Sequence, residues 1–279
     1  MDIRIGAEKN SVSALFGKSG AGKTTLLRMI AGLDKPDRGN ITVDGETWFD
    51  STRNIHLSPQ ERGVGFVFQD YALFSNMTVL ENLKYAAGKN NGPWVKRLVE
   101  AVGLGDVQSR KPVALSGGEK QRTAVARALA RKPTLLLMDE PLSALDGEAR
   151  SELQDELLSI FREFSLTTIM VTHELSEVFK MASKVFILEF GRIARDGKPV
   201  EVFSEQNLAG QFRFVGELAA IEKQDIVFIV SVIVGNTIVK VMATADEVES
   251  LGVGDKVILI SKAFNPLIMK PARGLPIYP

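Results

Sequence analysis

Residues 12 to 33 read "VSALFGKSGAGKTTLLRMIAGL". "VSALF" is a short apolar run of strand length, and the apolar "TLLRMIAGL" is long enough for a helix. Between them, "GKSGAGKT" at 17 to 24 satisfies G-x-x-x-x-G-K-[ST] in the setting the pattern requires, after a strand and before a helix. Its glycines let successive N–H groups from Ser19 to Thr24 point inward at a β-phosphate, with Lys23 on the β/γ oxygens and the Thr24 hydroxyl on Mg²⁺. A glycine-rich turn that merely links strand to helix is the plain alternative, and the context at both ends argues against it.

Outward from this unit, "GVGFVF" (63 to 68), "TLLLM" (134 to 138), "TTIMV" (167 to 171) and "KVFILE" (184 to 189) are further strand candidates. They alternate with helix-like stretches to about residue 200, which predicts an α/β fold around a mainly parallel sheet buried on both faces. Between 76 and 132 the strand signals vanish. "TVLENLKYAA", "WVKRLVEAV" and "EKQRTAVARALAR" read there as helices, so a helical lobe is expected within a first domain of residues 1–210. From 215 to 279 the β-branched runs "DIVFIVSVIV", "TIVKVMA" and "DKVILISKA", broken by Gly, Asn and Asp, predict a small barrel-like β domain.

The 34 basic and 34 acidic residues cancel, so the overall charge does not favour nucleic acid or an anionic membrane surface. The chain has no cysteine, which fits a reducing compartment. "IVFIVSVIV" at 226 to 234 is far short of the ~20 residues of a spanning helix. A soluble protein is therefore expected, with any membrane role reached through a partner.

Polar residues gather at the predicted strand ends, where open α/β sheets collect ligands. "LLLMDEP" places Asp139 to hold Mg²⁺ and Glu140 to orient or deprotonate an attacking water beside a γ-phosphate. Gln69 follows "GVGFVF" and can reach Mg²⁺ and the lytic water; His173 follows "TTIMVT" and can bond the γ-phosphate. Taken singly, each of these is also an ordinary polar residue closing a strand. In "LSGGEKQR" (115 to 122), Ser116 and Glu119 have capping-box spacing. Gly117 and Gly118 nevertheless cost the helix roughly 1 kcal/mol each relative to alanine. A helix start stripped of side chains presents its N–H groups to an anion. Asp146 in "PLSALDGEAR" reads equally as a helix N-cap and as a functional contact. His56, Trp48 and Trp94 stand alone and are assigned to surface or core packing, and no spacing suggests a transition-metal site.

In order, "GKSGAGKT", Gln69, "LSGGEKQR", "LLLMDEP", "SALD" and His173 resemble the nucleotide-binding subunit of ATP-binding cassette transporters over roughly residues 1 to 210. The resemblance implies a P-loop NTPase fold and an ATPase using ATP and Mg²⁺. Gly17, Lys18, Ser19, Gly20, Ala21, Gly22, Lys23, Thr24 and Thr25 would form the phosphate loop, and Thr24, Gln69 and Asp139 would stand around the metal. Glu140, His173 and Gln69 would serve catalysis. It further implies a head-to-tail homodimer in which Ser116, Gly117 and Gly118, with Glu119 beside them, meet ATP held by a second subunit, and in which Asp146 lies at the seam. Gln69 through "FSNMTVLENL" would face membrane permease subunits at the cytoplasmic face of the membrane, with a substrate-binding protein engaged indirectly.

The order of "ITVDGETWFDS", "LSPQERGVGFVFQDYALFSNMTVLENL" and a C-terminal β domain is most similar to importers of oxyanions, of the molybdate and tungstate type. That likeness makes oxyanion binding by the tail an expectation, with Ser261 and Lys262 as candidate ligands; a half-exposed strand end would explain them equally. Sulfate, iron and polyamine are alternative cargoes. Three features depart from the family pattern: no aromatic precedes Phe16, Glu119 replaces the more frequent glutamine, and "FSNMTV" lacks a proline and histidine. Two rival readings are a soluble non-transport cassette ATPase and an oxyanion sensor. The first usually carries two cassettes or a coiled-coil insertion, neither of which is present in these residues, and the second is opposed by the full catalytic set.

Overall fold

The computed structural model describes residues 1–89, 91–143, 147–204, 211–224, 227–235, 237–249 and 251–262. The chain separates into two compact units, Met1–Val202 and Phe203–Pro279. In chain order the first contains β1 (Val12–Phe16), α1 (Lys23–Ala31), β2 (Asn40–Val43), β3 (Glu46–Asp50), β4 (Ile55–His56), β5 (Val64–Val67), α2 (Val79–Ala87), α3 (Gly92–Ala101) and α4 (Gly117–Leu129). It continues through β6 (Leu135–Asp139), α5 (Gly147–Glu163), β7 (Thr167–Thr172), α6 (Leu175–Met181), β8 (Lys184–Glu189) and β9 (Arg192–Gly197).

Six strands form one sheet in the order β5-β6-β7-β1-β8-β9, parallel except for the final antiparallel β8-β9 pair. Alternation along β6 shows why the apolar runs are unbroken. Leu136 and Met138 enter a core shared with α2, α3, α4 and α5, whereas Leu135 and Leu137 enter a second core shared with α1 and Trp48. Both faces of the sheet are therefore covered, as near-continuous apolar strands require. The mainly parallel fold with an α-helical segment between β5 and β6 agrees with the sequence expectation.

A three-stranded antiparallel sheet, β2-β3-β4, is not among the strands read from the sequence. Its strand β2 alternates exposed and half-buried residues, so it offers no apolar run. Trp48 on β3 is fully buried with its indole N–H on Glu46, Trp94 donates to the Ala130 carbonyl and packs edge-on against Phe164, and His56 packs edge-on against Phe49. All three serve packing, as expected.

The segment after β5 is fixed by Asn82 of α2. Its buried side chain accepts from the Phe74 N–H at 2.9 Å and lies within bonding distance of the Phe74, Met77 and Thr78 carbonyls. Asn82→Ala leaves several of these groups without a partner, and a loss of about 3 kcal/mol is expected, read as a lowered urea midpoint at unchanged slope.

The second unit contains β10 (Gln211–Gln224), β11 (Val227–Val234), β12 (Thr237–Ala243) and β13 (Lys256–Lys262). They form an antiparallel sheet in the order β12-β11-β10-β13, packed over Leu218, Val230, Val232 and Val248. Among the described residues β12 and β13 are its edges. Ser261 and Lys262 end β13 opposite Phe212 and Gln211. The remainder of "ISKAFNPL" beyond Lys262 lies outside the described residues.

Candidate nucleotide site

Parallel pairing brings the C-terminal ends of β1, β5, β6 and β7 to one edge of the sheet. The loop Gly17–Gly22 leaves β1 there and enters α1. Gly20 (φ 79°) and Gly22 (φ 101°) occupy left-handed backbone, and a side chain at Gly17 would strike the Leu188 carbonyl. Gly22 caps α1 without a side-chain hydrogen bond, so the first-turn N–H groups are not closed off by the cap. Lys18, Ser19, Gly20, Thr24 and Thr25 are exposed, Ala21 and Gly22 are half-buried, and Gly17 and Lys23 are buried. The Lys23 ammonium is folded onto the loop, donating to the carbonyls of Gly17 at 2.8 Å and Lys18 at 3.0 Å.

Thr24 donates its hydroxyl to Asp139 Oδ1 at 3.0 Å. Burial pushes the Asp139 carboxyl above its ordinary range; the Thr24 hydrogen bond opposes this and the charge of Glu140 reinforces it. A nearby cation would favour the charged form of this acid. Among the described residues no group of three or more His, Cys, Asp or Glu could hold a metal ion by itself. One hydroxyl and one carboxylate instead suit Mg²⁺, which takes few protein oxygens and completes its shell with phosphate and water.

Glu140 lies one residue further, in left-handed backbone at φ 44°. Its N–H donates to the Val171 carbonyl at 3.1 Å, and the Ser143 hydroxyl donates to its carbonyl at 2.9 Å. The carboxylate stands between Gln69 and His173: Gln69 Nε2 lies 3.4 Å from Oε2, and His173 Nδ1 lies 3.4 Å from Oε1. His173 Nε2 is 3.6 Å from Glu174. An open cleft of about 680 Å³ is lined by Phe68, Gln69, Asp70, Asp139 and Ser143. Ser143 was not singled out in the sequence, where only its place in "PLSALD" marked it.

The structure thus bonds Thr24 to Asp139, with Lys23 folded onto the loop before them, and gathers Gln69, Glu140 and His173 at the same sheet edge. Ser116–Glu119 stand apart from the cleft lining. Ser116 N donates to Glu119 Oε2 at 2.7 Å and Glu119 N to Ser116 Oγ at 3.3 Å, the expected capping box at the start of α4. The Ser116 N–H holds the Glu119 carboxyl below its ordinary range. A Cβ at Gly118 would meet nothing nearer than Arg122 Nη1 at 4.0 Å. Among the described residues nothing in the chain's own packing therefore demands that glycine. Asp146 lies outside the described residues.

The family model for ABC transporters matches residues 1–143, just over half of the chain. The chain belongs to the ABC transporter family. It is 43% identical over 217 residues to the sulfate/thiosulfate import ATP-binding protein of Mycobacterium tuberculosis, covering 76% of this chain and 60% of that protein. It is also 43% identical over 200 residues to the molybdenum import ATP-binding protein of Brucella abortus, covering 71% and 56%. The chain thus spans about 60% or less of the length of these two curated relatives. Among solved structures, cbiO1 from Clostridium perfringens, part of the ABC transporter complex cbiONQ, matches with a TM-score of 0.64 at 28% identity, over 73% of this chain and 83% of that one. The ATP-binding cassette MJ0796, in a dimeric post-hydrolysis state bound to ADP and Pi, matches with a TM-score of 0.60 at 28% identity, over 71% and 89%.

Proposed function

We propose that this chain hydrolyses ATP as the energising subunit of an importer of tetrahedral oxyanions. The observation that carries the reading is the convergence of Gln69, Glu140 and His173 beside the Lys23–Thr24–Asp139 group, at the C-terminal edge of a parallel sheet. Loop N–H groups and Lys23 bind the phosphates, the ammonium exchanging its loop carbonyls for phosphate oxygens. Thr24, Asp139 and Gln69 would hold Mg²⁺, which when bound would offset phosphate charge. Gln69 positions the water, Glu140 takes its proton as the oxygen attacks the γ-phosphorus, and His173 stabilises the charge on the γ-oxygens. The products are ADP and inorganic phosphate.

The dimer follows from Gly118. Because its missing side chain answers to no neighbour among the described residues, we assign Ser116, Gly117 and Gly118 to the γ-phosphate of ATP on a second copy, with Asp146 at the seam. The dimeric state of MJ0796 supports this arrangement. Gln69 through Leu83 is assigned to the permease. No described helix is long and apolar enough to cross a membrane, and a peripheral place at the cytoplasmic face is proposed.

Both named importers carry oxygen-rich anions or their metal, and we retain molybdate or tungstate as the cargo, with sulfate as the competing one. Calorimetric titration of the chain with molybdate, tungstate and sulfate, with and without Mg·ATP, tests both levels. ATP binding is expected for the unmutated chain and its loss for Lys23→Ala; failure of that pair sinks the ATPase reading. Selective molybdate or tungstate binding would support a sensing second unit. Selective sulfate binding would reassign the cargo, and no oxyanion binding would remove the sensing role.

A further inference from the structure

Tyr71 (φ 64°) and Ala72 (φ 46°) are consecutive non-glycine residues in left-handed backbone, immediately after Gln69 and Asp70. Such conformations cost about 1–2 kcal/mol per residue and persist only where the surroundings impose them. One side chain holds the carbonyls of both. Arg127, in the last turn of α4, donates from Nη2 to the Tyr71 carbonyl at 3.0 Å and from Nη1 to the Ala72 carbonyl, while its guanidinium lies 5.5 Å from the Phe74 ring centroid. Asp70, which lines the cleft, adds an attractive charge, and burial opposes the guanidinium's positive state. A desolvated guanidinium that takes two adjacent carbonyls leaves the chain between Gln69 and Phe74 little freedom, because its fork is planar and rigid.

We propose that Arg127 is a positioning residue that sets the Gln69 amide against Glu140 by clamping Tyr71 and Ala72, two and three residues after it. The clamp sits on the helix whose first turn presents Ser116–Gly118. From Gly118 to Arg127, at about 1.5 Å per residue, that helix rises roughly 14 Å between the glycine turn and the clamp.

The proposal rests on the hydrolytic reading of the Gln69–Glu140 site, so its test has two arms. Steady-state ATP hydrolysis by the full chain is compared for Arg127→Met, Arg127→Lys and Arg131→Met, and hydrogen exchange is measured over residues 69–77. Arg131 is the comparator because it donates to the Gln60 carbonyl at 3.0 Å from just beyond the same helix, at the loop that enters the N-terminal end of β5, with the whole strand between that contact and Gln69. Arg127→Met is expected to lower kcat about tenfold or more with KM within about threefold, since small misplacements act on the chemical step. It should also speed exchange over 69–77 while leaving 117–125 unchanged. Arg127→Lys recovers part of kcat, because an ammonium can hold one carbonyl but not the fork.

A kcat for Arg127→Met equal to that of Arg131→Met overturns the proposal, as does faster exchange spread across the whole helical lobe. If Arg127→Met fails to fold, an Arg127→Lys variant with unmutated kcat and exchange overturns it instead. An unmutated chain that melts normally yet does not turn over ATP removes the hydrolytic reading, and unchanged exchange over 69–77 in Arg127→Met then removes the clamp separately.

Discussion

Replacing Glu140 by glutamine is expected to lower ATP turnover by about 10²–10⁴-fold, the range for loss of a positioned general base. Nucleotide affinity should stay close to that of the unmutated chain. The geometry supports such a separation of effects. The Glu140 backbone is held by Val171 and Ser143 independently of its side chain, and glutamine has nearly the same shape. The amide can still meet Gln69 and His173, but it cannot accept a proton from water as a carboxylate does. Phosphate binding is assigned to the loop, Lys23 and Thr24, which the substitution does not touch. A stable ATP-bound dimer should then accumulate on size-exclusion chromatography, because the nucleotide holding it closed is no longer consumed. Turnover at the unmutated rate would assign the base to another group and return Glu140 to a structural role at the end of β6.

The parts of this site legible in the sequence are those encoded within a few neighbouring residues. The loop after β1 follows from glycine spacing between a strand and a helix, and β1 and β8 occupy the same residues as "VSALF" and "KVFILE". Asp139, Glu140, Gln69 and His173 were legible because each immediately follows or ends an apolar run. Their mutual distances were not, since those depend on the strand order β5-β6-β7-β1, which no local pattern states. Arg127 was illegible for the same reason: it lies 55 and 56 residues from the carbonyls it holds, inside a helix whose pattern reads only as amphipathic. Tyr71, Ala72 and Glu140 gave no sign of left-handed backbone, because none is a glycine or asparagine and the conformation is imposed by distant partners. The β2-β3-β4 sheet escaped because two- to five-residue strands with exposed positions resemble turns.

Gly118→Val separates folding from function most sharply. Within the chain the substitution should be harmless: among the described residues an added Cβ meets only the end of Arg122 at 4.0 Å, and Gly118 needs no left-handed backbone. Exchanging glycine for valine in a helix gains a few tenths of a kcal/mol in propensity, about 0.3, so the melting temperature should hold or rise slightly. ATP binding by the isolated chain should also persist, since Lys23 and Thr24 are unaltered. The expected loss lies wholly in the assembly. Two methyl groups over the half-buried first turn of α4 would occupy the space assigned to a phosphate and separate its N–H donors from the oxygens. Removing donors of this kind costs about 10²–10³-fold in turnover. The ATP-dependent dimer of the Glu140→Gln chain should disappear when Gly118→Val is added. A valine chain that is stable, binds ATP and hydrolyses it normally would show that the glycine turn meets no phosphate, and Gly118 would then have no physical account in either the monomer or the dimer.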